Sequence, residues 1–252
     1  MSRLLVIPAA GLGSRLGASV PKVLVRVAGE TMLDRLLALY RGAVDRVAVV
    51  VNPAFSVQVR DHIAERPDAN RIDCVEQPSP TGMLDAILLA TPVAATQGAS
   101  SIWVTWCDQI AVHPKTIARL RDLTSRKHDG MVMPTVRQDR PYIHLQRDAT
   151  GRIVRVLHRR EGDVMPDVGE SDMGLFALSS ATYSDRLPQY ARSVEIGRAT
   201  GERNFLPFIP WLARTETVTT FPAESPMEAV GVNTPEDLAL VERYLRTLSP
   251  EP

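Results

Sequence analysis

Short runs of apolar and β-branched residues alternate with helical patterns along the first half of the chain. This alternation is typical of a parallel sheet whose two faces are covered by helices. The predicted strands are Arg3–Pro8, Arg46–Asn52, Arg71–Glu76, Ser101–Cys107 and Gly130–Val136. The predicted helices are Thr31–Arg41, Phe55–Arg66, Met83–Ala94 and Lys115–Lys127.

The pattern changes after about residue 137. Strand patterns follow each other at Tyr142–Gln146, Arg152–Leu157 and Met173–Leu178, and a late strand is predicted at Val218–Phe221. A last helix, Glu236–Leu248, follows Thr234 and Pro235, which suit the N-cap and the first helical position. We expect a single domain over 1–252, in which 137–215 is an insertion laid on the same sheet.

Composition excludes several classes of protein. The chain has 252 residues and 29 basic against 29 acidic side chains, so it lacks the positive charge of a protein that binds nucleic acid or an anionic membrane. Its two cysteines have no disulfide or zinc spacing, and its apolar runs are too short to span a bilayer. The N-terminus is similar to a signal peptide, but Pro8 interrupts its apolar stretch, so we expect a cytoplasmic protein. The oligomeric state stays open, a homo-oligomer included.

A glycine-rich loop follows the first predicted strand. It reads Pro-Ala-Ala-Gly-Leu-Gly-Ser-Arg-Leu-Gly over residues 8–17, and Pro21-Lys22 comes shortly after it. Small residues there let backbone N–H groups surround a phosphate chain, and Arg15 and Lys22 add two different cations. The pattern lacks the lysine of a P-loop and the long helix of a dinucleotide-binding turn. A surface loop without function is the remaining alternative.

Three further polar positions follow predicted strands or precede a helix. Gln77 comes after the third strand, in a segment that ends at Gly82, and Asp108 ends the fourth strand. Asn233 lies in a Gly-Val-Asn segment before the last helix. Carboxyl ends of parallel strands border the ligand crevice of such sheets, although each of these residues also suits an ordinary turn or cap.

Together these motifs resemble the nucleotidyltransferases that activate sugar 1-phosphates. The nearest by motif are the N-acetylglucosamine-1-phosphate uridylyltransferases and the glucose-1-phosphate thymidylyltransferases, and the match is weak over 137–215. The resemblance implies an α/β fold of three α/β/α layers, Rossmann-like, with a mostly parallel central sheet and an inserted smaller β-rich segment. It also assigns 1–136 as the nucleotide-binding half, 137–215 as the acceptor-binding half and 216–252 as the C-terminal strand, metal-ligand loop and helix.

The resemblance also implies roles for individual residues. Arg15 and Lys22 are the catalytic cations, and a Mg²⁺ ion is held by Asp108 and Asn233. Cys107 departs from the family pattern, which has Gly before this Asp. The nucleotide-binding residues implied are Ala10, Gly11, Gly13, Gln77 and Gly82.

The acceptor side departs further from the pattern. His158 stands where the uridylyltransferases have a sugar-binding Glu, and Asp172 stands where they have an Asn. These changes favour an unusual phosphorylated acceptor, such as an uncommon sugar or a cyclitol. Either Arg159 or Arg160 could bind the acceptor phosphate. The acceptor-binding residues implied are Tyr142, His158, Arg159, Arg160, Asp172 and Gly174.

The reaction implied is transfer of NMP from an NTP, UTP or dTTP favoured, to a sugar 1-phosphate, giving an NDP-sugar and pyrophosphate. Two alternatives stay open. One is the same chemistry with GTP or CTP and an acceptor such as a cyclitol phosphate. The other is a catalytically silent nucleotide-binding subunit. A glycosyltransferase is disfavoured because Asp108-Gln109-Ile110 lacks the Asp-x-Asp metal motif.

Overall fold

The computed structural model describes residues 2–11, 16, 20–126, 128–197 and 201–248. The strands are β1 Arg3–Ala9, β2 Arg26–Val27, β3 Glu30–Thr31, β4 Arg46–Val51, β5 Ile72–Glu76, β6 Ser101–Thr105, β7 Met131–Asp139, β8 Ile143–Arg147, β9 Ile153–His158, β10 Val168–Asp172, β11 Leu175–Ser179 and β12 Val218–Pro222. The helices are α1 Met32–Tyr40, α2 Ser56–Ala64, α3 Met83–Leu89, α4 Thr91–Gln97, α5 Pro114–Leu123, α6 Leu187–Ser193, α7 Phe208–Leu212 and α8 Pro235–Leu248. Across these described ranges, no helix combines the length and apolar character needed to cross a membrane.

Eight strands form one mixed sheet. Its order is β10-β7-β11-β6-β1-β4-β5. Strand β12 pairs with residues 131–135 of β7, whereas β10 pairs with residues 135–139 of the same strand. Six strands run in one direction, whereas β10 and β11 are antiparallel to their neighbours. The chain passes from β1 to β4 on one side and reaches β6 on the other. The carboxyl ends of β1 and β6 therefore border a switch point, where sheets of this kind bind ligands.

The sheet separates two apolar cores. Alternate residues of β1 belong to opposite faces: Leu5 and Ile7 lie in one core and Leu4 and Val6 in the other, all fully buried. The first core contains α1, α2, α5 and α8, and the second contains α3, α4, α6 and α7. The predicted three-layer fold with a mostly parallel sheet is confirmed.

Strand β10 is absent from the sequence prediction. Its sequence, Val-Gly-Glu-Ser-Asp, has the polar composition of a loop. Antiparallel pairing with β7 makes it a strand, and Gly169 is required because a Cβ there would lie 2.5 Å from His144 Nδ1. Only the tertiary neighbours of this segment reveal its conformation.

The predicted helix Met83–Ala94 is wrong in one respect, because it consists of two helices that meet at Ala90. Pro92 cannot donate a backbone hydrogen bond, and its ring would clash with the Leu88 carbonyl of a continuous helix. The Thr91 hydroxyl donates to that carbonyl at 2.6 Å instead. The break keeps the apolar faces of both helices on the second core.

Candidate active site

Three side chains from distant parts of the chain meet at the carboxyl edge of the sheet. Lys22 opens a short 3₁₀ turn, Asp108 follows β6 and Asn233 precedes α8. The Lys22 Nζ donates to Asp108 Oδ2 at 2.5 Å and to Asn233 Oδ1 at 2.9 Å. A carboxylate oxygen and an amide oxygen therefore converge on one cationic atom.

Backbone contacts fix the orientation of Asn233. Its Nδ2 donates to the Gly231 carbonyl at 3.2 Å, which leaves Oδ1 towards Lys22. The Asp237 carboxylate accepts the N–H groups of Asn233 and Thr234, and the Asp237 N–H donates to the Thr234 hydroxyl. This reciprocal cap starts α8 directly after Asn233, so the end of the helix positions the side chain.

The buried carboxylate of Glu228 connects the loop before Asn233 to the loop after Asp108. It is fully buried and accepts the Ser225 N–H and the His113 N–H, both at 2.9 Å. The Val232 N–H also donates to the Asp108 carbonyl at 3.2 Å. These bonds hold the two loops at a fixed separation, although neither loop is close to the other in sequence.

Gly231 allows this close approach. A Cβ at this position would lie 3.1 Å from the Asp108 carboxylate, which is tight packing against a charged group. The two oxygens on Lys22 are hard ligands of the kind that Mg²⁺ prefers, and Mg²⁺ usually keeps several waters or substrate oxygens. The described residues contain no cluster of three or more His, Cys, Asp or Glu side chains suited to a metal. The donor set thus fits a Mg²⁺ ion shared with substrate phosphates, not a closed protein site.

A small cavity of about 120 Å³ lies beside the glycine-rich loop. Ala10, Gly11, Gln77 and Gly82 all line it. Gln77 is buried, and its Nε2 donates to the Gly82 carbonyl at 3.1 Å. Four of the five predicted nucleotide-binding residues therefore share one cavity. The fifth, Gly13, and the predicted catalytic Arg15 lie outside the described residues.

Gly82 is required by its surroundings. Its φ is +116°, and a Cβ would lie 2.6 Å from the Arg203 carbonyl oxygen. The Arg203 N–H donates to the Thr81 carbonyl, and the Leu84 N–H donates to the Arg203 carbonyl. The segment around residue 203 is thereby held against the loop that carries Gln77.

A larger cavity of about 460 Å³ lies next to the first, and the two share Met83 and Glu202. It reaches from Asp108 and Asn233 to the strands of the 137–215 segment. Of the predicted acceptor-binding residues, the following line it: Tyr142, His158, Arg160 and Asp172. The two cavities are therefore neighbours, with Met83 and Glu202 in the lining of both.

Arg159 and Gly174 have other positions. The Arg159 guanidinium donates to the Pro141 carbonyl at 3.2 Å, away from the cavity lining, while Arg160 faces the cavity. Gly174 lies behind the lining with φ +69°, and a Cβ there would be 2.2 Å from Trp106 Cδ1. Its carbonyl accepts the backbone N–H of Trp106 at 3.0 Å, and β6 ends at Thr105, two residues earlier than predicted.

Asp172 is a buried carboxylate in the wall of the larger cavity. It is 8% exposed and accepts the Gly174 N–H at 2.8 Å. Burial raises the pKa of this carboxyl to about 6, only partly opposed by backbone hydrogen bonds. Within the ranges that the structure describes, no basic side chain forms an ion pair with Asp172.

His158 is an uncharged group of the same wall. Burial lowers the pKa of its imidazole, which favours the neutral ring near pH 7. Its Nδ1 lies 3.3 Å from Asn204 Nδ2, and the Tyr142 ring packs edge-on against it at 5.1 Å. His158 therefore presents a neutral hydrogen-bonding surface to the cavity.

Glu202, Asn204 and Trp106 are not among the site residues predicted from the sequence. All three line the larger cavity. Trp106 also packs against Phe176 and Phe205, so it belongs to the core and to the site at once. The only local signal for the missed pair is the polar run Gly-Glu-Arg-Asn over 201–204 before an aromatic segment, a pattern shared with many loops.

The two cysteines, Cys74 and Cys107, are partly buried. Both are free thiols, and burial raises the pKa of Cys107 to about 12. A thiol with such a pKa is protonated near pH 7 and is a weak nucleophile. Cys107 thus occupies the position before Asp108 without contributing chemistry of its own.

Comparisons with known proteins give the family. The model of the MobA-like NTP transferase domain matches residues 5–179. The Bifunctional protein GlmU of Pseudomonas entomophila is 27% identical over 246 residues, covering 97% of this chain and 52% of that protein. GlmU of Xanthobacter autotrophicus is 40% identical over 124 residues, covering 48% of this chain and 26% of that protein. The chain spans about half the length of the first of these relatives.

A solved structure shows the same fold. A Bacillus anthracis protein assigned as a glucose-1-phosphate thymidylyltransferase, crystallised with sucrose, superposes with a TM-score of 0.78 at 14% identity, covering 100% of this chain and 98% of that one. The family match, the relatives and the shared fold agree with the motifs of the glycine-rich loop. The chain belongs to the MobA-like NTP transferase domain family.

Proposed function

We propose that this chain transfers a nucleoside monophosphate from an NTP to the phosphate of a small-molecule acceptor, such as a sugar 1-phosphate, and releases pyrophosphate. The observation that carries the proposal is the pair of adjoining cavities along one sheet edge, with the Lys22–Asp108–Asn233 cluster beside the larger one. Such an arrangement suits two phosphorylated substrates whose reacting phosphates must meet near a cation.

The chemistry needs positioning and charge neutralisation more than proton transfer. An acceptor phosphate oxygen forms a bond to the α-phosphorus while the bond from the α-phosphorus to the bridging oxygen breaks, and pyrophosphate leaves with that electron pair. The attacking oxygen is already anionic, so no general base is required. Lys22 neutralises charge at the reacting phosphates, and Arg15 is assigned to the leaving pyrophosphate.

Asp108 and Asn233 would hold Mg²⁺ in this proposal. The ion, when bound, supplies Lewis-acid stabilisation of phosphate charge. The support is that both oxygens already converge on the Lys22 ammonium. Lys22 then exchanges these oxygens for substrate phosphate oxygens, which are equally good partners for its three N–H groups.

Gln77 is assigned to base recognition. One of the two hydrogens on its Nε2 is donated to the Gly82 carbonyl, which leaves the amide oxygen and the second N–H to meet a ligand. An accepting oxygen matches the imide N–H of uracil or thymine and the N1–H of guanine, whereas cytosine and adenine present an unprotonated ring nitrogen there. We therefore favour UTP or dTTP, with GTP as the alternative.

The larger cavity is assigned to the acceptor. Arg160 is the better placed of the two adjacent arginines to bind the acceptor phosphate, because the Arg159 side chain contacts the Pro141 carbonyl.

An NTP substrate also implies that the enzyme works in the cytoplasm, where nucleotides are supplied.

The test is pyrophosphate release with Mg²⁺ for each of the five common NTPs against a panel of sugar and cyclitol 1-phosphates. Asp108→Asn removes one charge at the cluster and should reduce the rate by about 100-fold or more, the scale of one lost charge-stabilising group. Asp122→Asn on α5 is the matched control, since this side chain is 75% exposed. Omission of Mg²⁺ tests the metal separately.

Two results would count against the proposal. Release that does not depend on an acceptor would indicate a different reaction. NTP binding without release for any pair would favour the catalytically silent subunit. A normal rate in Asp108→Asn would contradict the role of the cluster while leaving nucleotidyl transfer itself intact.

A further inference from the structure

The larger cavity contains a buried negative charge that the transfer chemistry does not use. Asp172 ends β10, is 8% exposed and lines the cavity. Its carboxylate accepts the Gly174 N–H at 2.8 Å. Asp108, another carboxylate that lines the cavity, forms an ion pair with Lys22. Among the residues that the structure describes, no basic side chain forms an ion pair with Asp172.

A carboxylate in this position is unfavourable without a partner. Burial disfavours its charged form, and the backbone hydrogen bonds that it accepts do not replace the solvation that is lost. A cationic group of a ligand would stabilise the charged form of Asp172, because an ion pair with hydrogen bonds is favourable when both partners are held in place. The cavity is open to such a ligand, at about 460 Å³.

Gly174 brings an aromatic ring to the same place. Its N–H donates to Asp172, and its carbonyl accepts the backbone N–H of Trp106 at 3.0 Å. A Cβ on Gly174 would lie 2.2 Å from Trp106 Cδ1, so the indole packs directly on this glycine. Asp172 and Trp106 thus both contact Gly174 and both line the cavity, and a carboxylate and an indole are two groups that recognise an ammonium ion well.

The other charged groups that line the cavity have other positions or partners. Glu202 lines both cavities and so lies where the larger one meets the smaller one, and Asp108 pairs with Lys22. Arg160 is a cation and suits a phosphate, and His158 is neutral near pH 7 because burial lowers its pKa. The Asp237 carboxylate caps α8. The cavity therefore contains a cation, Arg160, that suits an anionic group of a ligand, and a carboxylate, Asp172, that suits a cationic one.

We propose that the acceptor carries a protonated amino group in addition to its phosphate, and that Asp172 and Trp106 bind this amino group. The inference rests on the proposed function in taking the larger cavity as the acceptor site. It narrows the substrate class from phosphorylated small molecules to phosphorylated amines, amino sugars included.

The test uses two pairs of compounds that differ only in amine against hydroxyl: glucosamine 1-phosphate against glucose 1-phosphate, and 2-aminoethyl phosphate against 2-hydroxyethyl phosphate. Binding is measured by isothermal titration calorimetry near neutral pH, with the full chain. We expect the amine to bind about 10-fold or more tightly than its hydroxyl partner in at least one pair, the scale of a charged hydrogen bond. Asp172→Asn should abolish the preference, and Asp122→Asn should retain it.

Three results would overturn the inference: equal affinities within both pairs, tighter binding of the hydroxyl compounds, or a preference that persists in Asp172→Asn. Tighter binding of the hydroxyl compounds would mean that Asp172 is protonated and donates to the acceptor. Pyrophosphate release with the same four compounds keeps the two proposals apart. Release with the hydroxyl compounds alone would support the proposed function and contradict the amine-binding role of Asp172. Amine-selective binding without release would support the amine-binding role and contradict the proposed function.

Discussion

The Asp172→Asn substitution should make this protein more stable at neutral pH than the wild type. Asn has nearly the same shape, and its Oδ1 can still accept the Gly174 N–H, which lies 2.8 Å from the carboxylate oxygen. The charge is what changes. Burial raises the pKa of Asp172 from the ordinary value of 3.8 to about 6, so the folded protein binds this proton more tightly than the unfolded chain.

The sign and size follow from proton linkage. Between about pH 4 and pH 6 the folded state holds the extra proton, so the free energy of unfolding falls as pH rises through this window. A difference of about two pKa units corresponds to about 3 kcal/mol, and the full penalty is present above about pH 7. The substitution removes that penalty and leaves a smaller, pH-independent loss from the weaker hydrogen bond of a neutral acceptor.

Urea unfolding of wild type and Asp172→Asn, followed by circular dichroism at several pH values from about 4 to 8, measures the difference directly. The variant should gain about 2–3 kcal/mol over the wild type between the two ends of this range. Asp122→Asn, at an exposed position, should show no such trend. A stability difference that stays constant with pH, or that favours the wild type at neutral pH, would refute the inference that burial of the unpaired Asp172 carboxylate destabilises the folded protein.

Three further substitutions test the site. Lys22→Met should lower pyrophosphate release about 100-fold, because the cation beside the reacting phosphates is lost, and a rate within tenfold of wild type would contradict this. Gly82→Ala should cost about 1–3 kcal/mol in urea unfolding, since φ is +116° and a Cβ would lie 2.6 Å from the Arg203 carbonyl oxygen. Gly98→Ala is its control, with positive φ but open space, and an equal loss would disprove the close contact. Glu228→Gln should cost about 1–3 kcal/mol by turning an amide donor towards a backbone N–H, and an unchanged urea midpoint would argue against its role.

Local signals in the sequence predicted the elements well where the chain alone specifies them. Thr31 accepts the Asp34 N–H at the start of α1, and Thr234 accepts the Asp237 N–H at the start of α8, as their residue types suggest. The five strands predicted in the first half are all present. Each of these depends on apolar periodicity or on a side chain that caps its own backbone, so no distant contact is needed.

Local sequence patterns do not predict the conformation of a segment when contacts with residues distant in the sequence determine it. β10 is a strand because β7 supplies its hydrogen bonds, not because its residues favour one. The sequence does not say whether Arg159 or Arg160 faces the acceptor cavity, because the two residues are adjacent and have the same chemistry. In the structure the Arg159 side chain contacts the Pro141 carbonyl and Arg160 lines the cavity. Glu202 and Asn204 reach the site because their segment packs on Gly82, across more than a hundred residues of chain.

The sequence by itself determined the layered α/β fold and the chemical types in the glycine-rich loop, because periodicity and small residues act locally. The tertiary structure decided which groups meet. It placed Lys22 within 2.5 Å of Asp108 and 2.9 Å of Asn233. It also buried Asp172 without a cation among the described residues, because burial and pairing are properties of the folded surroundings and not of a residue's position in the chain.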